Sequence, residues 1–252
     1  MINQLKHKYA IITGVSGGIG CAIAEKLCNE GIKVLGIDLK TSNFQHSLFE
    51  FCSLDLNQFV TDKEIANDFF NHVQNWLNGN ELELLINNAA IQCLGEIKDL
   101  NFNIWQKTLN VNLLAPFFLI QGLFDNLKQA KGCVINISSI HARATKSNFV
   151  AYATSKAAIS GMNRALSVEL GSLVSFYCIE PAAVLTDMLK EGFVNAPEKL
   201  NELAACHPSG EISSPSQLSD FIYFLFNKQI PALQGTAIEF GGGISGRLYD
   251  PA

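Results

Sequence analysis

Tyr152 and Lys156 stand four residues apart in Tyr152-Ala153-Thr154-Ser155-Lys156, a spacing that puts both side chains on one face of a helix. A phenol beside an ammonium can give or take a proton, because the cation favours its ionised form. A free phenol has a pKa of ~10, and bringing it to neutrality takes several units at roughly 1.4 kcal/mol each. That is more than Lys156 alone supplies, so a second positive charge such as an oxidised nicotinamide ring is needed. Ser138 and Ser139 end the apolar run Val134-Ile135-Asn136-Ile137. One of their hydroxyls can hold a reacting oxygen while the other serves as a turn or cap.

A second group of residues suits a dinucleotide. Thr13-Gly14-Val15-Ser16-Gly17-Gly18-Ile19-Gly20 follows a short apolar strand and opens a helix. Gly14, Gly18 and Gly20 let the backbone turn tightly, so that N–H groups around Ser16 and Ile19 and the helix dipole can face a pyrophosphate. No Gly-Lys-Ser/Thr follows, which disfavours a P-loop. Asp38 lies at about the ~20-residue separation at which a carboxylate accepts from the adenosine ribose hydroxyls, and it would repel a 2′-phosphate. NAD is therefore expected over NADP, with Lys40 the nearby residue that argues the other way.

Regular elements must hold these groups in place. Short β-branched or aliphatic runs at 9–13, 33–38, 84–87, 133–138, 174–179 and 236–240 predict strands, with a weaker one at 49–54. Apolar spacing of helical period predicts helices over 19–29, 65–77, 104–127, 150–170 and 215–226. The alternation implies right-handed βαβ crossovers and one Rossmann-type, doubly wound parallel sheet with helices on both faces, as a single α/β domain over 1–252. The segment 183–214 has no clear pattern and mixes Phe193 and Leu200 with Asp187 and Lys190, as a substrate lid or a plain surface helix would.

Composition removes several function classes. Eighteen Lys and Arg against 23 Asp and Glu give a formal charge of −5, with no basic cluster to follow a nucleic acid backbone. The longest apolar run, Leu113–Ile120, is interrupted by Pro116 and is too short to span a membrane. The seven cysteines are scattered without a Cys-x-x-Cys pair and read as reduced thiols, and the five histidines offer no metal-binding spacing. Met1 leads to Lys6, His7 and Lys8 without the apolar stretch of a secretory signal, so a cytoplasmic location is expected.

Taken together, the constellation resembles the short-chain dehydrogenase/reductase family. The resemblance covers nearly the whole chain and rests on the Gly14–Gly20 turn, Asp55, Asn87-Asn88-Ala89, Asn112, Ser139, Tyr152-x-x-x-Lys156 and the run from Pro181 to Thr186. It implies that Tyr152 is the acid/base, Ser139 the partner of the substrate oxygen, Lys156 a ribose clamp and phenol activator, and Asn112 the anchor of a relay water. It further implies that Asp55, with Leu56, meets the adenine and that Asn88 and Ala89 flank the cofactor. Pro181, Val184 and Thr186 would then lie by the nicotinamide. A homotetramer formed through the two long helices is also implied. The chain departs from the pattern at Ala90, Ala182 and Phe240, where the family often has Gly, Gly and Asp. Ala182 bears most on the substrate pocket.

The substrate is a small-molecule alcohol or carbonyl. Gln92 and His141 resemble carboxylate-holding positions of 3-hydroxybutyrate dehydrogenases, but Phe149 stands where that subgroup has a Lys, leaving Arg143 and Lys146 as the nearby cations. A hydroxy acid, a sugar, a polyol and a hydrophobic alcohol all remain open. A non-redox dinucleotide sensor, or an isomerase or dehydratase using bound NAD, stands as the alternative.

Overall fold

The computed structural model describes residues 7–194 and 196–247. The N-terminal reading at Met1 to Lys6, Asn195 within the segment 183–214, and the end of the domain at 248–252 lie outside the described residues.

The seven strands are β1 (Tyr9–Thr13), β2 (Lys33–Asp38), β3 (Phe49–Ser53), β4 (Leu84–Asn87), β5 (Cys133–Ile137), β6 (Ser175–Pro181) and β7 (Ala237–Phe240). They form one sheet in the order β3-β2-β1-β4-β5-β6-β7, every pair parallel. The helices are α1 (Gly18–Asn29), α2 (Leu56–Thr61), α3 (Lys63–Leu77), α4 (Phe102–Leu109), α5 (Ala115–Gly122), α6 (Phe124–Ala130), α7 (Val150–Leu170), α8 (Asp187–Glu191), α9 (Pro197–Cys206) and α10 (Pro215–Lys228).

Strand side chains alternate between two apolar layers. Ile11, Leu35, Leu85, Val134 and Phe176 pack on one face of the sheet with Phe69, Val73, Leu119 and Leu127, and Ala10, Ile12, Val34, Ile86 and Ile135 on the other with Ile23, Leu27, Leu218 and Ile222. Helices on both faces make the expected doubly wound fold. Strand order reverses between β1 and β4, which opens a crevice at their carboxyl ends, where open α/β sheets bind ligands.

One expectation needs correction, and two stretches carry helices that the sequence did not mark. The single helix over 104–127 is α4, α5 and α6, with a π turn at Asn110–Leu114 between the first two. Pro116 has no N–H to donate back to the Asn112 carbonyl, so the α ladder cannot continue there. Instead it slips, and the Ala115 N–H donates to Asn110 O, five residues back. A short helix, α2, begins at Asp55, whose carboxylate accepts from the Asn57 N–H as an N-cap. The segment 183–214 carries α8 and α9 and is pinned at its base, where Val184 bridges Ser213 and the Leu185 N–H donates to Ser213 O at 2.9 Å.

Candidate active site

The glycine turn is built without spare room. Gly14 has φ +78°, and a Cβ there would lie 2.8 Å from both the Ala89 Cα and the Asn88 Nδ2. A Cβ on Gly20 would meet the Gly14 carbonyl oxygen at 2.0 Å, and one on Gly18 would press on Thr186 at 3.0 Å. Asn88 holds the turn from the neighbouring strand, its Nδ2 donating to Thr13 O and Gly14 O at 3.0 and 3.1 Å. Thr13 Oγ1 accepts from the Asn88 and Ala89 N–H groups at 3.0 Å each. No side chain caps the start of α1 at Gly17, which leaves the first-turn N–H groups of Gly18, Ile19 and Gly20 for an anion.

Asp38 ends β2 beside this turn. Its two oxygens accept from the Ser16 N–H at 2.9 Å and the Lys40 N–H at 3.2 Å, and the Ser16 hydroxyl donates to Lys40 O. The carboxylate is therefore aimed before any ribose arrives, and each oxygen keeps a lone pair. Asp55, with the buried Leu56 next to it, sits at the carboxyl end of the adjoining strand β3. Close-fitting glycines, free amide donors and an oriented carboxylate fit a nicotinamide dinucleotide.

The proton machinery lies at the carboxyl end of β5. Ser138 turns inward, donating to the Lys156 carbonyl at 2.8 Å and accepting from Ser160 Oγ at 2.9 Å, so its hydroxyl is committed to structure. Ser139 turns outward, accepts from the His141 N–H at 3.2 Å and lies near enough to the Tyr152 phenol to favour its ionised form. The choice between the two serines is thus made by packing. Lys156, one turn beyond Tyr152 on α7, is buried with its Nζ donating to Ile137 O at 2.8 Å and lying 5.6 Å from the centre of the Tyr152 ring.

Without the second positive charge that activation requires, the phenol is not activated by the protein alone. Burial raises the Tyr152 pKa above its ordinary value, and the nearby Ser139 hydroxyl pulls the other way without cancelling it. Burial also lowers the Lys156 ammonium to about 8. In the protein alone the phenol is protonated at neutral pH, the state that can donate to a carbonyl oxygen.

Asn112 lies in the π turn, bound to both sides of Ile91: its Oδ1 accepts from Ile91 N at 2.8 Å and its Nδ2 donates to Ile91 O at 2.9 Å. A further bond runs from Nδ2 to Ser155 Oγ at 3.0 Å, tying the loop after β4 to the helix of Tyr152. Pro181 accepts weakly from Ser139 Oγ at 3.5 Å, Val184 is buried, and Thr186 both touches Gly18 and caps α8 by accepting from the Leu189 N–H. Ala182 lies beside Gly241 at the end of β7, where a Cβ on that glycine would be 3.4 Å from its methyl group.

The structure therefore brings Ser139, Tyr152, Lys156, His141 and Asn112 into one connected centre, next to the glycine turn through Asn88 and Thr186. Gln92 stays on an exposed stretch after β4 and makes no side-chain hydrogen bond among the described residues. Arg143 is turned away from any ligand: its Nε pairs with Glu180 at 2.6 Å and it donates to Ala237 O at 2.9 Å. Sequence reasoning missed Glu180, whose buried carboxylate also accepts from Ser160 at 2.7 Å. It also missed a chain of buried amides, Asn87 Nδ2 to Asn136 Oδ1 and Asn136 Nδ2 to Asn163 Oδ1, joining β4, β5 and α7 at 2.8 and 3.1 Å. Polar residues inside otherwise apolar strands were the available signal.

All seven cysteines are free, and burial pushes the Cys28 thiol up to about 12 and that of Cys178 to about 11. Among the described residues no helix is long and apolar enough to cross a membrane, and no cluster of ligands could hold a metal.

The family model described as short chain dehydrogenase matches residues 8–196. The short-chain dehydrogenase/reductase FrzI of a Cladobotryum species is 31% identical over 96% of this chain and 97% of its own. An apo SCOR enzyme from Clostridium thermocellum shares 27% identity with a TM-score of 0.85 over 97% and 96% of the two chains. The ligand-free aldohexose dehydrogenase of Thermoplasma acidophilum superposes with a TM-score of 0.88 over 98% of both chains, and at 24% identity that likeness speaks for the fold alone.

Proposed function

Because the chain belongs to the short-chain dehydrogenase/reductase family of oxidoreductases, we propose that it interconverts a secondary alcohol and a carbonyl with NAD(H), using Tyr152 as the acid/base. The observation that carries this reading is the meeting of Ser139, Tyr152 and buried Lys156 at the carboxyl end of β5, beside the uncapped start of α1.

When bound, the dinucleotide supplies the hydride acceptor or donor. Gly14, Ser16, Gly18, Ile19 and Gly20 hold its phosphates, Asp38 its adenosine ribose, and Asp55 and Leu56 its adenine. Asn88 and Ala89 support it from β4, and Pro181, Val184 and Thr186 border its reactive ring. Ser139 Oγ holds the substrate oxygen, and the Tyr152 hydroxyl gives or takes the proton at that oxygen. Lys156 clamps the second ribose and sets the charge beneath the phenol, while Asn112 anchors a relay water in the π turn. His141 and Gln92 border the rest of the substrate under the segment 183–214, which acts as a cover. The protein works in the cytoplasm, and it assembles as a homotetramer, the second reading being supported by exposed apolar side chains such as Phe102 on α4 and Val168 on α7, 75% and 90% exposed.

A screen of secondary alcohols with NAD+, followed by nicotinamide absorbance, tests the reaction: net NADH formation supports it. Binding without turnover, or product without net NADH, overturns it. Asp38 also predicts the preferred cofactor. NADH binds more tightly than NADPH to the unaltered protein, and Asp38→Ala with Leu39→Arg shifts preference toward NADPH by removing the like charge and adding a cation. Titration of both cofactors measures this, and equal or tighter NADPH binding by the unaltered protein overturns the assignment.

A further inference from the structure

Three rings line the approach to the reacting phenol. His141 lies flat against Phe149, with centroids 4.4 Å apart and planes 5° from parallel. Both stand nearly edge-on to Tyr152, at 75° and 76° with centroids 5.7 and 6.2 Å away. Phe149 is buried and backs the part-exposed His141, whose Nδ1 is paired with Thr145 Oγ1 at 2.9 Å, fixing the ring. A stack held at both an edge and a face is a rigid wall.

Of the cations nearby, Arg143 and Lys156 are held within the fold and Lys146 is exposed to water. Arg143, which leaves the same turn as His141, is held by the buried Glu180 carboxylate and by Ala237 O. Lys156 donates inward to Ile137 O. The Lys146 ammonium sits 4.9 Å from the centre of the Phe149 ring, and being exposed it is screened by water and salt. Burial, together with Lys146, lowers the His141 pKa, so the imidazole itself is neutral at neutral pH. The facing loop adds exposed Leu94 and Ile97 on either side of Gly95, whose N–H donates to Asn148 O beside Phe149, and its own cation, Lys98, is paired with Glu96 at 2.8 Å. A substrate carboxylate on this wall would trade water for uncharged partners alone, the His141 imidazole and the Gln92 amide, with no cation to meet its charge. A flat or saturated ring would gain contact with the rings.

We infer that the His141–Phe149 stack selects an uncharged, ring-bearing secondary alcohol or its ketone and rejects carboxylate-bearing analogues. The inference rests on the oxidoreductase reading above and narrows its substrate class, turning His141 from a carboxylate ligand into a wall.

The test is initial-rate kinetics of the full chain with NAD+ on three probes: 1-phenylethanol, mandelate, which replaces its methyl group by a carboxylate, and butan-2-ol, which lacks the ring. Expected is a kcat/KM for 1-phenylethanol at least about tenfold above both others. His141→Ala raises KM for 1-phenylethanol roughly two- to tenfold with kcat kept, and His141→Phe restores it, because a ring is what the wall supplies. Circular dichroism confirms that each variant is folded. Mandelate turned over as well as 1-phenylethanol overturns the inference, as does a His141→Phe variant no better than His141→Ala. If that turnover is still abolished by Tyr152→Phe, the oxidoreductase reading stands and only the substrate class falls. If no probe and no other alcohol is oxidised, both fall.

Discussion

Replacing Tyr152 with Phe lowers kcat by about 10²- to 10⁴-fold, the range supplied by a positioned acid/base, while NADH affinity stays within about twofold. The phenol oxygen alone moves the proton, and the amides of the glycine turn, Asp38 and Lys156 remain to hold the cofactor. The ring stays, so its edge contacts with His141 and Phe149 persist and the fold is kept. Lys156→Ala behaves differently, because it removes the ribose clamp as well as the cation, so cofactor affinity and rate fall together. Steady-state kinetics and NADH titration of both variants make the comparison. A folded Tyr152→Phe variant with most of the original rate would exclude Tyr152 as the acid/base.

Lys156 also makes stability depend on pH in a way that can be isolated. Burial lowers its pKa from 10.5 to about 8, so between those values the unfolded chain holds a proton that the folded one has released. Wherever the unfolded state binds more protons, stability rises with pH. The cost of the buried ammonium, roughly 3 kcal/mol from that shift, is thus fully present below pH 8 and disappears toward pH 10.5. Cys28, Cys133, Cys178 and Tyr152 act in the opposite sense above pH 9, since burial raises their pKa values. A difference between two proteins separates the terms. Measured without cofactor by urea unfolding, the stability of Lys156→Met relative to the unaltered protein is expected to fall by about 2 kcal/mol between pH 7.5 and pH 10. A difference that does not change with pH contradicts the buried, depressed ammonium.

The parts of the site legible in the sequence are those fixed by local spacing. Gly14, Gly18 and Gly20 announce a turn because only glycine meets its steric demands, and Tyr152 and Lys156 announce a shared face because helical period is local. Strand β3 read weakly because it is an edge strand whose residues are mostly half-exposed. The π turn was hidden because apolar spacing runs through it unbroken, although Pro116 marked where the ladder must change. Arg143 read as a free cation because its partner, Glu180, lies 37 residues on and meets it only across the sheet end. The raised pKa of Tyr152 was illegible for a related reason: spacing reveals a neighbouring charge, whereas burial depends on the whole fold.

The pairing of Val184 with Ser213 gives the segment between them the character of an exchangeable part. Both ends of that excursion leave the frame at one clasp, while Thr186 against Gly18 and the Ser209 N–H donating to Gly242 O tie its flanks to the glycine turn and the end of β7, so the part whose length can vary is the stretch between these ties. Closing a longer excursion costs only about 0.6 kcal/mol for each doubling of its length. The molecule thus joins a frame, where a single methyl on Gly20 collides with backbone, to an excursion of two short helices outside the sheet. New substrate ranges can arise by rewriting what hangs from the clasp while the proton machinery at Ser139, Tyr152 and Lys156 stays untouched.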